Sequence, residues 1–212
     1  MYQLYYYPLN ASLAPHFVLA QLEVNYELIL VDRKRQAQKN TEYLRLNPAG
    51  RIPTLTYADS VLFESSAICW FLAEQHPQAK LVPPIGSPDR AKALQWLTYL
   101  TNTLQTELMI YFYPQKHASD AAVYPDIIAN QERRIHEIFV LLDKEIADND
   151  FFVGETVGIC DFYLLMLAIW ADEIAKPPMS LPNLARYLRQ LVKQPAVVKV
   201  CEVEGISLAL YE

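Results

Sequence analysis

The stretch that decides the fold reads NPAGRIPTL at residues 47–55, and FESSAI follows it at residues 63–68. This pattern predicts a turn, two short strands joined as a hairpin, and a helix that begins at Ser65. Free backbone N–H groups and the positive end of the helix dipole favour an anion at such a start, while the carboxylate of Glu64 suits an ammonium group. A ligand end that carries both a carboxylate and an amine, as an amino acid does, fits this arrangement.

Ile52 and Pro53 add an exposed backbone edge just before the first of these strands. A cis bond at a proline in a tight turn would hold that edge open, and an exposed edge pairs with extended, peptide-like ligands. Together the two segments predict a peptide-like ligand bound by backbone groups and by a helix end.

Composition excludes several functional classes. The net charge is −6, with seven acidic and seven basic side chains in residues 1–80 but seventeen acidic against eleven basic in residues 81–212, which argues against nucleic acid as a partner. No apolar run approaches the ~20 residues of a membrane span and the N-terminus lacks a signal peptide pattern, so a cytoplasmic protein that is not bound to a membrane is expected. The three cysteines and four histidines show no metal-ligand spacing, so no metal site is predicted.

The first part of the chain alternates strands and helices. Hydrophobic periodicity predicts a βαβ unit followed by a ββα unit, with strands at 2–7, 26–31, 54–57 and 60–63 and helices at 13–23, 41–46 and 65–75. This order predicts an α/β layer of four strands, which is the plan of a thioredoxin-like domain.

The second part of the chain is predicted to be entirely helical. A proline-rich linker at 78–88 separates a first domain at 1–77 from a helical domain at 89–212, with helices at 89–112, 121–148, 159–175, 183–192 and 195–203. Gly158 and Asp161 predict a capping pair, in which the carboxylate at the third helical position reaches back to backbone N–H groups.

These features together resemble the cytosolic glutathione S-transferase family over the whole chain: the βαβββα order, the NPxGxIPxL and ESxAI motifs, the proline-rich linker, and the helical domain with an Ile-x-Asp cap. Residues 4–16 most resemble the bacterial beta class. The resemblance implies an α/β thioredoxin-like domain that binds glutathione as a co-substrate, an all-α domain that supplies the second-substrate site, no metal or redox cofactor, and a homodimer.

The motifs carry the family's glutathione contacts onto this chain. Glu64 and Ser65 match the contacts to the γ-glutamyl amine and carboxylate. Ile52 matches the residue whose backbone pairs with the cysteinyl unit, and Pro53 matches the family's cis-proline. Arg35 and Gln36 fall where beta-class members place a lysine near the glycine carboxylate.

The chain also departs from the beta class. Ala11 occupies the place of that class's active-site cysteine, and Gln105 and Thr106 replace a His-Lys pair of the helical domain. Met109, Tyr111 and Tyr113, at the end of a long predicted helix, are candidates to line an apolar second-substrate pocket.

Three residues are candidates to stabilise the glutathione thiolate. Ser12 stands first, because it matches the serine of serine-type classes and lies at a helix start where a hydroxyl and the helix dipole favour a thiolate. Asn10 precedes the same helix and could donate an amide N–H, and Tyr6 aligns approximately with the tyrosine of other classes. The ordinary alternatives are a helix cap for Ser12, a turn residue for Asn10 and a strand filler for Tyr6.

The resemblance therefore predicts a glutathione transferase that conjugates the thiolate to small hydrophobic electrophiles. Two alternatives stay open at this point: a glutathione-dependent disulfide oxidoreductase or peroxidase, and a non-catalytic relative that binds without reacting.

Overall fold

The computed structural model describes residues 1–211. Its strands are β1 Tyr2–Tyr6, β2 Tyr26–Leu30, β3 Thr54–Tyr57 and β4 Ser60–Phe63, and its helices are α1 Leu13–Gln21, α2 Thr41–Leu46, α3 Ser65–Gln75, α4 Pro88–Tyr99, α5 Gln105–Phe112, α6 Tyr124–Ile146, α7 Ile159–Trp170, α8 Pro182–Leu191 and α9 Pro195–Glu204. Two units divide the chain: residues 1–82 with 192–210, and residues 83–191 with Tyr211. The predicted α/β plus all-α fold is confirmed.

The first unit is built on one mixed sheet with strand order β2-β1-β3-β4. β1 and β2 are parallel, as a βαβ unit requires, and β3 pairs antiparallel with both β1 and β4. α1 is buried on all sides, because residues 13–20 have little or no exposed surface, and it packs against α3 and α9. The sheet and α1 thus form the rigid base from which the intervening loops project.

The last helix belongs to a different unit from the one that its sequence position suggests. The sequence division placed residues 195–203 in the helical domain, whereas the structure groups residues 192–210 with the sheet. The physical reason is a buried contact, since Glu204 of α9 lies 2.7 Å from the Nδ1 atom of His16 in α1. The change of unit after Val82 does fall within the predicted linker.

The second unit contains α4 to α8. The predicted helix at 89–112 is wrong as one continuous α-helix, because a π-helical turn at Leu100–Leu104 separates α4 from α5. Thr101 lies in this turn, and its hydroxyl is shared between the carbonyls of Leu97 and Thr98 in the preceding turn of α4. This pattern of bonding commonly bends helices. The helix predicted at 159–175 ends at Trp170.

The predicted capping carboxylate of Asp161 is confirmed. Its two oxygens accept from the backbone N–H groups of Gly158 at 2.6 Å and Phe152 at 2.8 Å, and the Tyr187 hydroxyl also donates to it. Glycine has no side chain to complete the reciprocal pair, so Asp161 alone ties the start of α7 to its preceding loop and to α8. Burial raises the pKa of Asp161 to about 6, although these donors favour the charged form.

Within residues 1–211, no helix combines the length and apolarity needed to cross a membrane.

The turn before β3 is held from inside by polar side chains. The buried Asn47 donates from Nδ2 to the Arg51 carbonyl at 2.8 Å and accepts from the Ala49 N–H at 3.1 Å. The Tyr43 hydroxyl donates to the same Arg51 carbonyl at 2.7 Å.

The turn also requires glycine at position 50. Gly50 has φ of +58°, where a side chain is unfavourable, and an added Cβ would lie 2.9 Å from the carbonyl oxygen of Gln38.

We expect Gly50→Ala to lower the free energy of unfolding by about 2–4 kcal/mol, because it combines left-handed strain with displacement of neighbouring backbone. Gly205→Ala is the matched control: Gly205 has φ of +68°, but an added Cβ there meets nothing within 4 Å among the described residues. The control should lose only about 1 kcal/mol. Urea unfolding of both variants measures the difference, and equal losses would contradict the steric account.

Candidate functional site

The sheet pairing brings the predicted binding segments to one end of the first unit. Tyr5 of β1 pairs with Thr54 of β3, Thr54 pairs with Phe63 of β4, and Tyr6 pairs with Leu30 of β2. The loops next to these residues therefore lie at the same end of the sheet; they cover residues 7–12, 31–39, 52–53 and 64–65. The structure thus assembles there the segments that the sequence motifs singled out.

Ile52 offers an open backbone edge. The Ile52-Pro53 bond is cis, and the Ile52 side chain packs with Val31 and Tyr43. Within residues 1–211, the backbone N–H and C=O of Ile52 have no hydrogen-bond partner. Since buried backbone groups are nearly always paired, this edge is suited to pairing with an extended ligand.

Glu64 and Ser65 form the second binding element. Glu64 has φ of +75°, an unusual conformation for a residue with a side chain, and its exposed carboxylate makes no hydrogen bond or ion pair with any residue that the structure describes. Ser65 is 5% exposed and opens α3. A free carboxylate next to a helix N-terminus can hold an ammonium and a carboxylate of one ligand side by side.

Ser12 is buried, and its hydroxyl is already engaged. Its Oγ atom donates to the Tyr7 carbonyl at 3.2 Å and accepts from the Tyr7 N–H at 3.3 Å. A hydroxyl has one proton, so Ser12 would have to give up its bond to Tyr7 in order to donate to a thiolate. Ser12 also makes no side-chain cap of α1. In this structure the side chain closes the loop that precedes α1.

Asn10 presents a free donor at the same place. Its Oδ1 atom accepts from the Ala11 N–H at 3.0 Å, which fixes the orientation of the side-chain amide. The Nδ2 group then points its two N–H donors away from that bond, and no acceptor for them exists in residues 1–211. The residue is only partly buried. Asn10 is therefore better placed than Ser12 to donate to a ligand.

The structure does not bring Tyr6 to the open edge. Its ring meets the ring of His16 edge-on at 6.3 Å, so it lies on the face of the sheet that carries α1. Tyr5 and Tyr7, on the opposite face, pack beside the cluster that contains Ile52. Strand alternation explains the difference, because neighbouring residues point to opposite faces.

The basic loop contributes a cation that the sequence motif missed. Arg35 is exposed, and its Nε atom lies 3.5 Å from Oδ2 of the less exposed Asp32; Gln36 is exposed at a left-handed turn. Lys39 instead extends to the turn before β3, where its ammonium donates to the Ala49 carbonyl at 3.2 Å. A Cβ atom added to Gly50 would lie 2.7 Å from this ammonium, so Lys39 packs closely against the turn. The sequence shows no such contact, because the two residues are brought together only by folding.

The predicted apolar residues lie at the end of α5 in the second unit. Met109 and Tyr113 are one helical turn apart and both are partly buried, with the Tyr113 N–H donating to the Met109 carbonyl. Lys116 lies 4.2 Å above the Tyr113 ring. Tyr111 lies near Glu132 and Glu173, and its pKa is raised by burial and by these carboxylates. Of the three, Met109 and Tyr111 lie in α5, and Tyr113 directly follows its last residue.

Comparisons with known proteins identify the family of the chain. Two family models match the chain, the glutathione S-transferase N-terminal domain at residues 12–75 and the C-terminal domain at residues 125–190. Glutathione S-transferase GstB of Escherichia coli K12 is 30% identical over 190 residues, which cover 86% of this chain and 88% of that protein.

Two solved structures extend the likeness over nearly the full length. A beta-class glutathione S-transferase of Sphingomonas chungbukensis is 25% identical with a TM-score of 0.85, covering 97% of this chain and all of the other. A sphingomonad glutathione S-transferase complexed with glutathione is 28% identical with a TM-score of 0.84, at the same coverage of both chains. The chain belongs to the glutathione S-transferase family.

Proposed function

We propose that the protein is a cytoplasmic glutathione transferase that conjugates the glutathione thiolate to small hydrophobic electrophiles. The observation that carries this proposal is the convergence at one end of the sheet of three groups with no partner among residues 1–211: the backbone edge of Ile52, the Glu64 carboxylate at the start of α3 and the Nδ2 donors of Asn10. Family membership supports the same reaction, because the relatives with known names are glutathione S-transferases.

Each part of glutathione has a chemically matched partner. The γ-glutamyl amine pairs with the Glu64 carboxylate, and its carboxylate accepts from Ser65 and the free N–H groups that open α3. The cysteinyl unit pairs with the backbone of Ile52, in the manner of an added strand. The glycine carboxylate is held by Lys39, whose ammonium already lies at the adjacent turn.

Asn10 is the proposed thiolate donor. A free thiol has a pKa near ~8.5, and lowering it by two units requires about 3 kcal/mol of selective thiolate stabilisation. A hydrogen bond to a charged group contributes about 1.5–3 kcal/mol, and the N-terminus of α1 adds a favourable dipole. The sulfur then forms a bond to the electrophilic carbon as the leaving group departs with its electron pair, and the thiol proton passes to solvent.

The second substrate is a small apolar molecule. Met109 near the end of α5 offers a polarisable side chain, Tyr113 directly after the helix offers an aromatic ring, and Tyr111 adds a hydroxyl. Apolar contacts do not require one fixed orientation of the bound compound, so such residues suit a broad class of hydrophobic substrates.

Glutathione affinity should depend on Glu64 and Ser65. We expect Ser65→Ala and Glu64→Gln each to weaken binding by about 1–3 kcal/mol, because each removes a hydrogen bond to a charged group of the ligand. Ser66→Ala, one residue further along α3, is the matched control and should bind normally. Calorimetric titration with glutathione gives the three affinities, and wild-type binding by both site variants would refute the placement of the γ-glutamyl group.

The thiolate donor is tested by three substitutions. Asn10→Ala should raise the pKa of the bound thiol and lower kcat about 10- to 1000-fold with little change in glutathione affinity. Tyr6→Phe should be nearly silent, and Ser12→Ala should chiefly lower the melting temperature, since its hydroxyl binds Tyr7.

The readouts for these variants are the pH dependence of conjugation of 1-chloro-2,4-dinitrobenzene and the thiolate absorbance of the glutathione complex. Normal kinetics and absorbance in Asn10→Ala would overturn its role. Turnover of a mixed glutathione disulfide without conjugation would replace the transferase by a disulfide oxidoreductase.

We further propose a homodimer, as is usual in this family. The sheet of the first unit ends at β4, whose Val61 and Phe63 are exposed, and an exposed apolar edge strand is normally covered. Sedimentation should therefore give about twice the chain mass of 24.4 kDa at micromolar concentration. Val61→Glu should shift the protein toward the monomer, and a monomeric wild type would contradict the proposal.

A further inference from the structure

Leu9 adopts a conformation that leucine rarely takes. Its φ is +56°, in the left-handed region, where a side chain clashes with the following carbonyl and only small or polar residues are common. Leu9 is nevertheless 52% exposed, so burial in the core does not offset the cost of this backbone conformation. Strained residues of this kind persist only where the surroundings hold them, and they occur often at functional sites.

A buried carboxylate of the C-terminal helix holds this backbone. The Leu9 N–H donates to Glu204 Oε2 at 3.2 Å, and Glu204 Oε1 lies 2.7 Å from His16 Nδ1. The other ring nitrogen of His16 lies 3.2 Å from the Tyr26 hydroxyl, and the side chains of His16 and Glu204 have no exposed surface. The carboxylate is thus fixed by a network that reaches α1 and β2.

The loop is closed from its other side as well. The Asn10 N–H donates to the Tyr7 carbonyl at 3.1 Å, so the two residues between them form a tight turn. Leu9 is therefore fixed by bonds at its own N–H and at that of its neighbour. Its Cα atom lies one residue, about 3.8 Å along the backbone, from that of Asn10, the residue proposed to hold the thiolate.

We propose that Leu9 is a specificity-determining residue for the apolar second substrate, and that the buried His16-Glu204 pair is the positioning device that holds it in place. The proposal rests on the proposed transferase function. An electrophile must approach the sulfur next to Asn10, and an exposed leucine fixed at that point offers it apolar surface. Glu204 acts through the Leu9 backbone and does not itself touch the substrate.

The substrate part of the proposal is tested with 4-alkylbenzyl chlorides whose alkyl chains run from methyl to butyl. Conjugation forms a carbon–sulfur bond at the benzylic carbon and releases chloride. Leu9→Ala should lower kcat/KM for the butyl compound about 5- to 30-fold while the methyl compound changes by less than about 2-fold, because the lost surface contacts only longer chains. Leu141→Ala, an exposed leucine on α6, is the control and should keep the wild-type dependence on chain length.

The backbone part is tested by comparing Leu9→Gly with Leu9→Ala. Both lack the leucine side chain, but glycine accepts a positive φ without strain. Leu9→Gly should therefore melt a few degrees above Leu9→Ala, the reverse of the usual order. In Glu204→Ala, exchange of the Leu9 amide hydrogen should be at least about 10-fold faster while amides of β1 stay protected. If Glu204→Ala does not fold, the order of the two melting temperatures still shows whether the Leu9 backbone is strained.

An unchanged dependence on chain length in Leu9→Ala would overturn the role of Leu9 in specificity. A melting temperature of Leu9→Gly below that of Leu9→Ala would overturn the strained left-handed backbone at Leu9, and unchanged exchange of the Leu9 amide in Glu204→Ala would overturn the positioning role of the His16-Glu204 pair. Glutathione affinity, measured by calorimetry, should be equal in all Leu9 variants. Failure of the wild-type protein to conjugate any of the chlorides or 1-chloro-2,4-dinitrobenzene would instead refute the proposed function. The melting temperatures of Leu9→Gly and Leu9→Ala would still show whether the Leu9 backbone is strained.

Discussion

The buried side-chain amide of Asn47 is the constraint on which the binding end of the first unit depends. It uses its donor on the Arg51 carbonyl and its acceptor on the Ala49 N–H, so the turn is folded from within. β3 can then begin at Thr54, β4 pairs with β3, and the end of β4 places Glu64 at the start of α3. Because Asn47 and Tyr43 satisfy the polar groups of the turn from inside, the backbone of Ile52 is left without a hydrogen-bond partner among residues 1–211.

The same end of the sheet is completed from the far end of the chain. α9 lies nearly two hundred residues after the loop that precedes α1, yet its Glu204 accepts a hydrogen bond from that loop and forms a buried pair with His16. Burying a carboxylate is costly unless it is fully paired, so this contact fixes the position of α9 as well as that of the loop. The first unit is consequently not a contiguous piece of sequence. In the second unit Asp161 has a comparable role, because one buried carboxylate joins α7 to its preceding loop and to α8.

Hydrogen bonds within the loop before α1 decide which polar side chain keeps a donor available. Ser12 and Asn10 both precede α1, and sequence reasoning ranks the serine first because serine activates the thiol in related classes. In the folded loop the only proton of Ser12 is taken by the Tyr7 carbonyl, whereas Asn10 can satisfy a backbone N–H with its oxygen and still keep two N–H donors. The basic loop shows a similar effect, since Lys39 reaches the binding turn while Arg35 points to solvent beside Asp32.

Sequence alone is sufficient to predict the order of the strands, the turn at residues 47–53, the start of α3 at Ser65 and the Asp161 cap. All of these depend on local periodicity, on proline and glycine, and on groups a few residues apart, which short-range physics fixes. The folded structure alone reveals that α9 joins the first unit, that the long helix is interrupted at Leu100–Leu104, that Tyr6 faces α1, and that the loops carrying the strained Leu9, Asn10 and Lys39 lie at one end of the sheet. These features depend on which donor meets which acceptor between segments far apart in sequence, and no local pattern carries that information.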